Sequence, residues 1–158
     1  MGADAVQPRR AVLADVPAVE VLVAAAYCHY VERIGVPPMP MVDDYPARVA
    51  AGQAWVVDGT DGAGLVGLLV VEEHPDHLYV DNVAVAPARQ GTGVGGGLLA
   101  FAHERAVAAG LPELRLVTNE LMTENRALYA RLGWTETGRV TIRGRHAVEF
   151  AKAVTAPR

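Results

Sequence analysis

The sequence is short of several things at once. It has one cysteine, Cys28, and one lysine, Lys152, among 158 residues, and only 6% of its residues are aromatic. A lone cysteine excludes an intramolecular disulfide and a cysteine-based zinc site, so a reducing cytoplasm is the expected compartment. No apolar run approaches the ~18 residues that a bilayer crossing requires, the longest being Val21 to Cys28. No basic segment leads an apolar one at the N-terminus, so no signal peptide is expected. Neither charge dominates: 14 basic residues face 18 acidic ones, for a formal charge of −4. That balance lacks the basic footprint of a nucleic-acid binder. Arginine stands almost everywhere lysine could, beside abundant alanine, glycine and valine, which is the codon usage of a GC-rich genome and suggests a bacterial source.

What is present is apolar side chain. At 51% hydrophobic residues the chain is excluded from the disordered class, and its length suits one domain, 1–158, with a substantial core. Arg9 to Leu13 reads as a strand, followed by Asp15 as a helix N-cap with Pro17 in the first turn. Val19, Leu22, Val23 and Ala26 carry the helix toward Gly35. The prolines of Val36 to Pro40 exclude helix there, and a short helix is expected at Tyr45 to Ala51. Strands are expected at Ala54 to Asp58, Gly64 to Glu72 and His77 to Ala86, the first two joined by a turn at Gly59 to Gly62. A helix from Gly93 to Ala109, a buried strand from Leu114 to Thr118, and a helix capped by Thr123 and ending near Leu132 follow. Trp134 to Val140 and Arg145 to Val154 close the chain as strands. The order β-α-(α)-β-β-β-α-β-α-β-β gives an α/β or α+β fold, a mixed sheet flanked by helices.

The segment from Val83 to Gly97 passes from a strand through a glycine-rich loop into a helix, an arrangement that cradles anions on free helix N–H groups. Gly91, Gly93 and Gly96 satisfy G-x-G-x-x-G, but Pro87-Ala88-Arg89 separates them from the strand and too little chain follows for a dinucleotide fold. Gly91 and Gly96 have P-loop spacing, but Gly97 and Leu98 stand where lysine and Ser/Thr are required. The remaining reading is a pyrophosphate loop reached from an extended strand.

Here the chain resembles the GNAT superfamily of acyl-CoA-dependent N-acetyltransferases. Gln90, Gly93 and Gly95 meet its Q/R-x-x-G-x-G/A pattern after Val85-Ala86-Pro87-Ala88-Arg89. Downstream, Thr118 to Asn125 and Ala127 to Trp134 are similar to the T-N-E-x-M-T-E-N and A-L-Y-x-R-L-G-[FYW] runs of small bacterial members. The resemblance implies a mostly antiparallel six- to seven-stranded sheet with about four helices, its fourth and fifth strands splayed around the coenzyme. It implies acetyl-CoA as co-substrate, bound by Val83, Ala84, Val85, Gln90, Gly91, Thr92, Gly93, Val94, Gly95, Gly96, Asn119 and Asn125, with Val83 and Val85 acting through main chain. No metal is implied. Gly96 and Gly97 depart from the family, where a polar and a larger residue are usual, and soften the helix start.

The implied reaction is acetyl transfer from a thioester to an amine. An alkyl amine with pKa near 10.4 must lose a proton before attack, and the departing thiolate benefits from an acid. Period-2 alternation places Tyr79, Asp81, Val83 and Val85 on one strand face. The resemblance puts Tyr79 and Asp81 where several members carry their general base, which makes Asp81 the candidate base, directly or through a water; the plain alternative is a strand-end carboxylate bonded to a neighbour. Tyr129 matches the family's proton donor, a phenol near pKa 10 suiting a thiolate, with aromatic packing as the alternative. Asn119 and Asn125 have turn or capping chemistry as theirs. His74 and His77 flank Asp76 but lack a second ligand cluster. Cys28, Met39 and Met41 read as core or pocket lining. The resemblance places acceptor contacts between Tyr27 and Tyr45 and near Arg139 to His146. Glu32, Asp43 and Asp44 would favour a cationic amine, and Arg143 and Arg145 a carboxylate, so a small molecule or a peptide remains open as acceptor. Neither nucleic acid nor membrane is an expected partner; a homodimer fits the family's habit. The alternative function is a non-catalytic acyl-CoA sensor.

Overall fold

The structure is a computed structural model that describes residues 6–60, 62 and 64–155. Seven strands, β1 (Arg9–Arg10), β2 (Ala54–Asp58), β3 (Leu65–Glu73), β4 (Leu78–Val85), β5 (Glu113–Asn119), β6 (Thr135–Ile142) and β7 (Arg145–Ala153), form a mixed sheet in the order β1-β2-β3-β4-β5-β7-β6. Four helices accompany them: α1 (Val16–Ile34), α2 (Tyr45–Ala50), α3 (Val94–Ala108) and α4 (Thr123–Arg131). β4 and β5 pair in parallel, and β1–β2, β2–β3, β5–β7 and β6–β7 pair antiparallel. The expected mixed sheet and helices are therefore present. Two compact units divide the chain, one spanning Met1–Val71 and Asn82–Phe101, the other Glu72–Asp81 and Ala102–Arg158.

In the first unit α1 buries Val16, Val19, Leu22, Val23, Ala26, Tyr27 and Tyr30, a stripe at helical spacing. Burial of Val19, Leu22 and Val23 contributes roughly 1.5–3 kcal/mol each. With its preceding turn, Leu13–Ile34 is long and apolar enough to cross a bilayer by length and composition, but that buried stripe is the pattern of a core helix. Gly35, at φ 89°, ends it.

Asp15 does not cap α1 as expected. Leu13–Asp15 forms a 3-10 turn, and the Asp15 carboxylate turns back to accept from the Val12 N–H at 2.8 Å. It also pairs with Arg9, which reaches Asp58 on β2 as well. The Arg9 guanidinium holds both carboxyls below the usual range, so one cation ties β1, the turn before α1 and β2. The first strand is only two residues long, Arg9–Arg10, shorter than the expected Arg9 to Leu13. Of the expected turn Gly59 to Gly62, Asp61 lies outside the described residues; the Gly59 N–H donates to the Gly64 carbonyl at 2.6 Å.

The start of α3 lies close over β3. A Cβ on Gly67 would stand 3.0 Å from Val94 Cγ1 and 3.1 Å from Leu98 Cδ1, so glycine lets the helix approach the strand. Gly97 has a similar reason: a Cβ there would come within 2.5 Å of Val6 Cγ2. The departure from the family at Gly97 is thus a seat for the N-terminal segment, while nothing in the structure requires glycine at Gly96.

In the second unit β7 runs between β5 and β6, with the β5 ladder extending from Glu113↔Ala153 to Asn119↔Ala147. Thr123 is not the cap of α4 but its first residue; Met122 precedes it, and the Thr123 hydroxyl bonds Glu124. At the other end of α4, Lys152 Nζ donates to the Leu132 carbonyl at 2.9 Å, answering one of the carbonyls that a helix C-terminus leaves over.

Gly67→Val is expected to destabilise the fold by about 1–3 kcal/mol through overpacking under α3. Urea unfolding of the two proteins measures it, and equal midpoints would show that α3 does not need this close approach.

Candidate active site

The glycine loop and the first half of α3, through Phe101, belong to the first unit. After β4, Pro87–Arg89 makes a 3-10 turn, and Gly91 and Gly93 take φ of 77° and 98°, a left-handed conformation that favours glycine. The first hydrogen bond within α3 runs from Gly97 N–H to Gly93 O at 2.9 Å. The N–H groups of Val94, Gly95 and Gly96 therefore precede the helical ladder and have no acceptor inside it. The Val94 side chain is 3% exposed and packs inward, so Val94 serves the loop through main chain alone. Gln90 Nε2 lies 3.5 Å from the Val85 carbonyl, and the Thr92 hydroxyl bonds the Arg89 carbonyl. These side chains brace the loop. Free N–H groups, positive partial charge and small residues fit a pyrophosphate.

β4 alternates as expected, with even residues buried and Tyr79, Asp81, Val83 and Val85 half-buried on the other face. Its parallel ladder with β5 covers Leu78–Val80 against Leu114–Leu116, and the strand continues five residues past it. The Ala86 N–H donates to Val66 on β3, so period-2 geometry turns the main-chain groups of Val83 and Val85 to the opposite edge. Ala84, 2% exposed, fills the core between them.

Sequence reasoning missed the buried face of this strand. Asn82 is 3% exposed and lies among two phenols. The Tyr27 hydroxyl is 2.6 Å from Asn82 Oδ1 and 3.0 Å from the Val83 carbonyl, and Asn82 Nδ2 donates to the Tyr45 hydroxyl at 3.1 Å. Tyr45 in turn donates to the Pro40 carbonyl. The available signal was an asparagine in the apolar phase of an alternating strand. Asp43 and Asp44 are structural instead: Asp43 pairs with Arg48 at 2.9 Å, and Asp44 accepts from Ala47 N–H at 3.1 Å as the cap of α2. Cys28 is exposed and Met39 is 44% exposed, so neither is core.

The second unit holds the remaining candidates. Tyr79 and Asp81 share a face of β4 there. Asn119 accepts from the Leu121 N–H at 2.9 Å, an Asx turn that ends β5. Asn125 Nδ2 and the Thr118 hydroxyl both reach Met122 Sδ, at 3.7 and 3.6 Å. Tyr129 is buried against Trp134 and Phe150, with ring centroids 5.9 and 5.6 Å away. Among the described residues its hydroxyl has no hydrogen-bond partner, and every fully buried side-chain polar atom does have one. The residue keeps only 7% of its surface exposed. Burial pushes its pKa up to about 12. Tyr129 is thus a firm hydrogen-bond donor at neutral pH, and full transfer of its proton to a thiolate of pKa near 8.5 is uphill; the simple match of ordinary pKa values does not hold in the fold. His74 and His77 stack at 4.6 Å and bond Glu72 and Asp76. Among the described residues no group of three or more His, Cys, Asp or Glu could hold a metal ion. At the β6–β7 turn Arg143 takes φ 51° beside Gly144, while Arg139 pairs with Glu120 and Glu136.

Because the folded pKa of Tyr129 lies above the unfolded value of 10, the unfolded chain loses its proton first as pH rises. The contribution is whole below pH 10 and disappears as pH climbs toward 12, a loss of about 3 kcal/mol. Unfolding by urea across that range is expected to show this decline in the wild type and a smaller one in Tyr129→Phe; parallel curves would mean that the phenol is not shielded.

A family profile described as "Acetyltransferase (GNAT) domain" matches residues 50–136. Among solved structures the chain is similar to nourseothricin acetyltransferase, with 25% identity and a TM-score of 0.73 over 96% of this chain and 100% of that one. The PaiA N-acetyltransferase of Thermoplasma acidophilum in complex with coenzyme A shares 12% identity at a TM-score of 0.75, over 91% and 97% of the two chains. The ribosomal-protein-S18-alanine N-acetyltransferase of Escherichia coli shares 18% at 0.69, over 96% of each. With a profile match over more than half its length, the chain belongs to the GNAT acetyltransferase family.

Proposed function

We propose that the chain is an N-acetyltransferase that moves an acetyl group from acetyl-CoA to a primary amine of a small molecule or peptide by direct transfer. The observation that carries this reading is the run of unladdered N–H groups at Val94, Gly95 and Gly96, entered from a strand whose Val83 and Val85 main chain faces the edge away from β3. The PaiA relative holds coenzyme A by its own description, and the other two relatives are named for acetyl transfer, one of them to a protein alanine.

Acetyl-CoA supplies an activated acyl carbon. Direct transfer forms the C–N bond and breaks the C–S bond, so the chain must manage one amine proton and two developing charges. The loop N–H groups and the Gln90-braced turn hold the diphosphate. The Val83 N–H stabilises negative charge on the acyl oxygen. Asp81 takes the amine proton, directly or through a water. Tyr129 donates a hydrogen bond to the departing sulfur, its raised pKa making it a stabiliser of the thiolate rather than a full acid. Asn125 bonds the pantetheine arm; Asn119 contributes by shaping the turn after β5.

Calorimetric titration with acetyl-CoA is expected to give micromolar binding, and thiol release with a panel of amines to reveal the acceptor class. Tyr129→Phe should retain that binding and lose about 10- to 100-fold in turnover. Equal turnover in both proteins would remove Tyr129 from the reaction. Binding with no turnover on any amine would favour an acyl-CoA sensor, and no binding by folded protein would overturn the reading.

A further inference from the structure

We propose that Tyr27, held in place by Asn82, is a positioning residue that caps the Val83 carbonyl and so fixes the neighbouring Val83 N–H as the donor to the acyl oxygen. This rests on the acyl-transfer reading above and adds a device to it. Three segments of the first unit meet at Asn82: α1 through Tyr27, the start of α2 through Tyr45, and β4 itself. All three side chains are buried, at 6%, 2% and 3% exposure, where an unpartnered polar group would be costly.

The arrangement is directional. The Tyr27 hydroxyl has one proton and two acceptors, Asn82 Oδ1 at 2.6 Å and the Val83 carbonyl at 3.0 Å. The carbonyl carries two lone pairs, and among the described residues the ladder with β5 pairs β4 from Leu78 to Val80. A strand edge that leaves its ladder presents alternating donors and acceptors, and an acyl oxygen needs only the donor. Capping the acceptor from the core leaves the edge with the polarity the reaction requires. Asn82 seats the phenol through Oδ1, while its Nδ2 donates separately to Tyr45, whose hydroxyl donates to Pro40.

The test compares Tyr27→Phe with Tyr45→Phe, which deletes a hydroxyl from the same network without touching Val83. Infrared difference spectra of carbonyl-labelled acetyl-CoA are expected to show the acyl stretch at lower wavenumber when bound to the wild type or Tyr45→Phe, and near its free position in Tyr27→Phe. Tyr27→Phe should bind acetyl-CoA about 3- to 10-fold more weakly, the loss of one hydrogen bond, while its affinity for coenzyme A stays within about twofold. Loss of the spectral shift in both variants, or in neither, would overturn the proposal. Should Tyr27→Phe not fold, amide exchange in the wild type decides: Val83 is expected to be protected by acetyl-CoA and not by coenzyme A, and equal protection would overturn it. A wild type that binds no acetyl-CoA would overturn the functional reading itself. One that binds with its acyl stretch unmoved would sink only the assignment to Tyr27.

Discussion

A β-strand that outruns its neighbour must find other partners for its main chain, and β4 is such a strand. Its ladder with β5 ends at Val80, and five further residues carry it into the glycine loop. The surrounding structure answers this exposed backbone in three ways. β3 takes the Ala86 N–H, Tyr27 takes the Val83 carbonyl, and Gln90 turns back on the Val85 carbonyl. Beyond the strand, among the described residues, the first N–H groups of α3 stand outside the helical ladder as donors. Gly67 lets that helix sit low enough over β3 for the loop to keep its shape.

The parts of the fold legible in sequence were those governed by short-range periodicity. The alternation of β4, the apolar stripe of α1 and the glycine loop are properties of a few adjacent residues, and they stand in the structure as read. The errors share a different cause. Asp15 and Thr123 have the right chemistry for helix caps, yet Asp15 is drawn off by Arg9, which is bound to Asp58 on a strand 49 residues from it. Asp43 and Asp44 looked like an acidic lure for an amine and are instead spent on Arg48 and the α2 cap. Each outcome depends on which distant group arrives at the same place, and no local pattern encodes that.

The candidate site divides along the same line. Its main-chain portion was legible because glycine spacing and strand phase dictate backbone geometry. Its side-chain portion was less so. Asn82 lay beside Asp81 in the sequence and drew no notice, because its partners Tyr27 and Tyr45 come from segments 55 and 37 residues away. Tyr129 was singled out, but its acidity depends on burial against Trp134 and Phe150, which a motif does not reveal. Proton affinity is a property of surroundings, and surroundings are assembled by the fold.

The amine of Lys152, bound to the last turn of α4, bears on the chain's own chemistry. An acetyltransferase is at constant risk from the nucleophiles on its own surface, since any amine that meets the activated acyl group competes with the intended acceptor. This chain carries a single side-chain amine, and that one is engaged with the Leu132 carbonyl. Elsewhere arginine carries the positive charge, and its guanidinium stays protonated at any pH the protein experiences. The fold thereby offers the acyl group almost nothing of itself to modify.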